Sequence, residues 1–161
     1  MSAPPYRISF VCLGNICRSP MAAVVMRSLV ADAGLPVQVD SAGTGSWHIG
    51  GGANPPAVQA LGRRGYDGST HVARQFGPRD FADYDLVIGL DRHNVADLRR
   101  LAPDDEQAAK VVLLRDFDPD APTEDRDVPD PYGGPDLDFD HALDLVTAAC
   151  QGLLAQLPVH R

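Results

Sequence analysis

Cys12 and Arg18 bracket five residues, Leu13-Gly14-Asn15-Ile16-Cys17, and Ser19-Pro20 follow at once. The run comes directly after Ile8-Ser9-Phe10-Val11, a short apolar stretch that reads as a strand. A loop between a strand end and a helix start turns backbone N–H groups inward, and the helix N-terminus adds partial positive charge. The same field favours thiolate over thiol in a cysteine at its mouth. Residues 13–19 are therefore expected to hold an oxyanion while Cys12 presents a nucleophile to it. Arg18 carries the planar fork that grips two phosphoryl oxygens at once, a geometry lysine cannot match. The chemistry predicted is cleavage of a phosphate ester through a phosphocysteine. The plain alternative is a structural cysteine that merely ends a strand.

Such a reaction needs an acid on the far side of phosphorus to protonate the leaving oxygen. Residues 116–140 offer ten acids against one base, and residue chemistry alone does not choose among them. Asp130 lies between Pro129 and Pro131, which stiffen its backbone, and Tyr132 follows; Asp127 is the second candidate. Trp47 and Tyr132 are expected to wall a slot for an aromatic ring, the alternative for Trp47 being a place in the core. Gly14 and Asn15 suit a loop that needs positive φ and close backbone approach. Ser19 is expected to cap the following helix, with Pro20 at its first position. Asp116-x-Asp118-x-Asp120 has the spacing of a calcium loop, but Ala121 stands where glycine is needed and two prolines interrupt it. His93 and His141 lack partners at metal spacing, so neither metal nor cofactor is expected.

The elements that must position these residues alternate between buried strands and helices, the pattern of βαβ units and a parallel sheet. Strands are expected at Ile8–Leu13, Val37–Ser41, Leu86–Leu90 and Val111–Leu114. Helices are expected from Ser19 to Ala33 with Gly34 as the stop, from Asn54 to near Gly65, from Asp91 to Leu101 and from Phe139 to Leu157. Four parallel strands with helices on both faces predict a flavodoxin-like, doubly wound α/β sheet. Ligands of such sheets bind beyond the carboxyl ends of the strands, where the 12–18 loop falls. Two long connections, 43–53 and 115–137, both leave strand ends and are expected to rim one cleft.

A chain of 161 residues fits one domain, 1–161. Its net charge of −8 excludes nucleic acid as a partner, because phosphate backbones need clustered cations. The sequence contains neither an export signal nor an apolar span of membrane length. Three cysteines, Cys12, Cys17 and Cys150, do not make a disulfide scaffold and suit a reducing cytoplasm. A monomer is expected, with weak self-association at most.

The ordered set Cys12-Leu13-Gly14-Asn15-Ile16-Cys17-Arg18-Ser19-Pro20, Ser41-Ala42-Gly43-Thr44, Trp47-His48, Leu90-Asp91-Arg92 and Asp130-Pro131-Tyr132 resembles the low-molecular-weight protein tyrosine phosphatases. The resemblance runs from about residue 7 to 157. It implies strand order 2-1-3-4, hydrolysis of phosphotyrosine on proteins, Cys12 as nucleophile, Arg18 as phosphate ligand and Asp130 as general acid. It further implies that Ser19 faces the sulfur and that Ser41 and His71 brace Asn15. A reversible Cys12–Cys17 disulfide is implied as well. Gly133-Gly134 departs from the family, where a second tyrosine often follows the first. Arsenate reductases share the loop but need resolving cysteines that are missing between Cys17 and Cys150. Phosphoarginine phosphatases tend to carry threonine where this chain has Ile16. A non-catalytic phosphotyrosine-binding module would not need Cys12, Arg18 and Asp130 together.

Overall fold

The computed structural model describes residues 4–159. Four strands, β1 (Tyr6–Cys12), β2 (Val37–Gly43), β3 (Leu86–Gly89) and β4 (Val111–Leu113), form one parallel sheet in the order β2-β1-β3-β4. Side chains alternate across the strands, so the sheet builds two cores. Ile8, Phe10 and Cys12 of β1 and Ile88 of β3 join the larger one with α1 (Arg18–Asp32), α2 (Pro55–Arg63) and α5 (Asp136–Gln156). Val11 and Val87 point the other way, into a core shared with Phe76, Phe81, Tyr84 and the Val95 and Leu98 face of α3 (Arg92–Leu101). Phe76 and Phe81 meet edge to face, with ring centres 5.0 Å apart. Both faces of the sheet are covered, as the buried residues on both sides of its central strands require.

β1 is an interior strand, flanked by β2 and β3, so its carboxyl end opens between two neighbouring strand ends. α1 stops where Gly34 adopts φ +66; Gly34 N donates to Ala31 O and Leu35 N to Val30 O, the paired bonds of a left-handed helix end. Sequence placed the regular elements within a few residues. It did not reveal the short helix α4 (Asp105–Ala108) or the 3₁₀ turns at Pro78–Asp83 and Leu114–Phe117. No helix among the described residues is long and apolar enough to cross a membrane.

Candidate active site

Residues 13–17 leave β1 at Cys12 and enter α1 at Arg18. Main-chain carbonyls around this loop are tied outward. Thr44 N donates to Cys12 O, Gly45 N to Leu13 O, Asn54 N to Ile16 O, and His71 Nε2 to Asn15 O at 2.6 Å. Asn15 N donates to Cys12 Sγ at 3.3 Å, while the N–H groups of Gly14, Ile16 and Cys17 have no main-chain acceptor among the described residues. Carbonyls facing out and amides left over within make an anion-binding concavity.

Asn15 has φ +57, alone among described non-glycine residues in that region, and is fully buried. Its side chain holds the unusual backbone in place. Nδ2 donates to Ser19 Oγ (2.8 Å) and Ser41 Oγ (3.0 Å), and Oδ1 accepts from Arg74 N (3.0 Å). The expectation of positive φ at Gly14 does not hold, since only Asn15 adopts it. What Gly14 provides is clearance, because a Cβ there would come within 3.2 Å of His48 Cδ2. Burial, only partly offset by the bond to Asn15 and reinforced by Arg27, pushes the His71 pKa down.

Ser19 is not the helix cap. The helix begins at Arg18, the cap position belongs to Cys17, and Ser19 Oγ lies 3.0 Å from Cys12 Sγ. Two features displace it: the loop winds tightly enough to start helical geometry early, and Asn15 Nδ2 turns the hydroxyl towards the sulfur. Burial pushes the Cys17 thiol up to about 11; a bond from Asn54 opposes this, and Asp130 and Cys12 add to it.

Arg18 is buried. Its Nη1 donates to Asp91 Oδ2 at 2.6 Å and to Val128 O at 2.9 Å, and Nη2 lies 3.9 Å from Asp130 Oδ2. Burial works against the charge, but the Asp91 bond and the nearby Cys12, Asp91 and Asp130 outweigh it and hold the guanidinium pKa above its ordinary value. Asp91 also caps α3, its Oδ1 accepting from Asn94 N at 2.7 Å. One carboxylate thus fixes both a helix and the arginine.

Asp130 Oδ1 accepts from Tyr132 N, which leaves Oδ2 directed towards Arg18. Asp127 does not reach the cleft; its carboxylate accepts from Arg92 N and the Arg92 guanidinium. Ten residues line a cleft of about 180 Å³, among them Cys12, Arg18, Asp130, Trp47 and Tyr132. That is small against the ~300–1,000 Å³ of pockets for drug-sized ligands, so it suits one side chain rather than a peptide. Trp47 is 71% exposed at the cleft wall, not in the core, and Tyr132 is 61% exposed. The acids of 116–140 are not uniformly turned to this cleft: Asp116 pairs with Arg126 and Asp140 with Arg63.

Sequence gave Asp91 and His48 a place in motifs but no role, and the Val128 carbonyl no place at all, though each touches this site. For Asp91 a signal existed, an acid at the carboxyl end of the strand beside β1. Main-chain carbonyls leave no such trace. Among the described residues no cluster of His, Cys, Asp or Glu could hold a metal ion.

The family described as "Low molecular weight phosphotyrosine protein phosphatase" matches residues 7–160. A low molecular weight protein-tyrosine-phosphatase of Streptomyces coelicolor is 53% identical over 152 residues, covering 93% of this chain and 92% of that one. The crystal structure of a protein tyrosine phosphatase from Entamoeba histolytica, with Hepes in its active site, superposes with a TM-score of 0.88 at 33% identity, covering 94% and 96% of the two chains. The YwlE arginine phosphatase, in a mutant form with a phosphorylated active-site serine, superposes at 0.83 with 30% identity over 94% and 95%. Fold, sheet order and near-complete sequence coverage agree: this chain belongs to the low molecular weight phosphotyrosine protein phosphatase family.

Proposed function

We propose that the protein hydrolyses phosphotyrosine monoesters on proteins through a phosphocysteine at Cys12. The observation that carries this reading is the convergence of one sulfur, an N–H pointing at it, a hydroxyl 3.0 Å away, a buried arginine and a carboxyl in one cleft. The Cys12 thiolate attacks phosphorus, and the P–O bond to the tyrosyl oxygen breaks as Asp130 gives that oxygen its proton. Loop amides and Arg18 hold the three non-bridging oxygens as charge redistributes. In the second half, Asp130 takes a proton from water as the water oxygen attacks phosphorus. The S–P bond then breaks, with Ser19 Oγ stabilising the departing thiolate, and inorganic phosphate leaves. This chain's own residues supply every group the sequence of steps uses.

Trp47 and Tyr132 flank the entrance with aromatic faces, which supports an aryl phosphate over an alkyl one. Ser41 and His71 act through Asn15, as supports of the loop. Three free, buried thiols are consistent with work in a reducing cytoplasm. A Cys12–Cys17 disulfide, formed under peroxide, would protect the nucleophile reversibly.

The test is turnover of phosphotyrosyl peptides and aryl phosphates by wild type, Cys12→Ser and Asp130→Ala. Cys12→Ser is expected to abolish turnover and still bind phosphate. Asp130→Ala is expected to lose most of its rate on esters of basic phenols and much less on activated ones. A phosphoarginyl peptide turned over faster than its phosphotyrosyl counterpart would move the substrate assignment. Turnover by Cys12→Ser would remove the phosphocysteine.

A further inference from the structure

Arg115 is buried, and among the described residues its guanidinium forms no ion pair. Nη1 instead donates to two main-chain carbonyls of the acidic connection, Asp125 O at 3.2 Å and Asp127 O at 2.9 Å, while Nε is buried without a partner. A buried cation met only by carbonyls is an unfavourable arrangement for stability alone, and local violations of this kind tend to mark functional positions.

What Arg115 grips leads straight to the catalytic acid. The next residue, Val128, is fully buried; its N–H donates to Leu90 O at 2.9 Å and its carbonyl accepts from Arg18. Pro129 then passes the chain to Asp130 with one backbone torsion fixed. The base of the clamp is rigid too. Arg115 sits in the 3₁₀ turn Leu114–Phe117, which α5 approaches so closely that a Cβ on Gly152 would collide with Phe117 O. Sheet edge, turn, Arg115, residues 125–128 and Asp130 form one continuous chain of contacts.

We infer that Arg115 is a positioning residue for general-acid catalysis, holding the 125–128 segment so that Asp130 meets the leaving oxygen. This rests on the phosphatase reading above and assigns Arg115 no contact with substrate. Without its donors, the carbonyls of Asp125 and Asp127 turn to water and Asp130 loses its aim, while Cys12 and the loop amides keep theirs through Asn15, and Arg18, which also bonds Val128 O, stays anchored by Asp91.

The experiment measures kcat/KM for phenyl phosphate and for 2,4-dinitrophenyl phosphate in wild type, Arg115→Met, Arg115→Lys, Asp130→Ala and the Arg115→Met/Asp130→Ala pair. General-acid help contributes about 10²–10⁴-fold, so losing its alignment is expected to cost about tenfold or more on phenyl phosphate and little on the activated ester. Lysine, which can still donate to a carbonyl, is expected to recover part of the loss. The double variant is expected to be no slower than Asp130→Ala alone, because a misaimed acid and an absent acid are the same defect. Equal losses on both esters, or losses that multiply in the double variant, would overturn the role of Arg115 and reduce it to a fold contact. If wild type fails to turn over either ester, or Asp130→Ala shows no dependence on leaving group, the phosphatase reading itself fails and carries this inference down with it.

Discussion

Arg18 and Asp91 meet at 2.6 Å across 73 residues of sequence, and the same carboxylate caps α3 with its other oxygen. The two duties can be separated by substitution. Asp91→Asn keeps an oxygen for the helix cap and presents an amide N–H group to Arg18. It is expected to keep the α3 cap but to lose stability, because buried Arg18 is left without its charge partner, while kcat/KM falls about tenfold, or about 1.4 kcal/mol of transition-state stabilisation. Asp91→Ala is expected to lose about 1 kcal/mol more in folding, from the missing cap. Inhibition by inorganic phosphate checks the assignment: if it is as strong in Asp91→Asn as in wild type, Arg18 does not depend on Asp91.

His71 gives the fold a pH dependence of known sign. Its pKa is lowered from 6.5 in the folded chain, so the unfolded chain binds the proton more readily. The stability it contributes is complete above pH 6.5 and is lost as pH falls below that value through the native one. Urea midpoints at about pH 7.5 and about pH 5.5 are expected to differ more in wild type than in His71→Gln. Equal differences in both proteins would assign the slope to other groups.

Trp47 owes its place to Gly45. A Cβ on Gly45 would overlap the six-membered ring of Trp47, so Gly45→Ala must swing the indole away from the cleft wall. KM for aryl phosphates is expected to rise several-fold, the scale of one lost aromatic contact of ~0.5–1.5 kcal/mol. Trp47 is the chain's one tryptophan, so intrinsic fluorescence reports the move directly. An unshifted spectrum together with an unchanged KM would remove Trp47 from the slot.

The raised Cys17 value, about 11, sets the kinetics of any bridge to Cys12. Peroxide oxidises the Cys12 thiolate to sulfenic acid; the Cys17 sulfur then attacks it, forming the S–S bond and releasing water. Because the thiolate is the attacking form, closure is expected to speed up as pH rises from about 7 towards about 10. Thiol mapping after peroxide is expected to yield the Cys12–Cys17 pair, recoverable with dithiothreitol. Lasting sulfinic acid on Cys12 at every pH would count against it.

Asp136 and Asp138, four and six residues after Tyr132, open α5 and are exposed. Peptides with lysine next to phosphotyrosine are expected to be better substrates than those with glutamate, most clearly at low salt. A preference that does not respond to ionic strength would show that these acids lie too far away to matter.

The cysteine-to-arginine loop was legible in the sequence because its groups are contiguous: thiol, amides and guanidinium all lie within seven residues. The place of Asp130 in the cleft agrees with its flanking prolines and tyrosine, although residue chemistry left ten acids open for the acid's role. Ser19 is no cap, because its hydroxyl answers to Asn15 and Cys12 rather than to its own helix; the place at the sulfur that the resemblance implies is the one it takes. The roles of Asp91 and Arg115 stayed hidden for another reason. Their partners, Arg18 and the carbonyls of 125 and 127, reach them only through strand order and loop path. Exposure places Trp47 outside the core, the position its neighbouring glycines favour.

Backbone and side chain of Asn15 together make five bonds, to Cys12, Ser19, Ser41, Arg74 and His71, and every one is to the protein itself. The cradle's shape therefore does not wait for a guest. An arriving oxyanion spends none of its affinity on ordering the loop, and small tetrahedral anions should compete far better than their few atoms suggest.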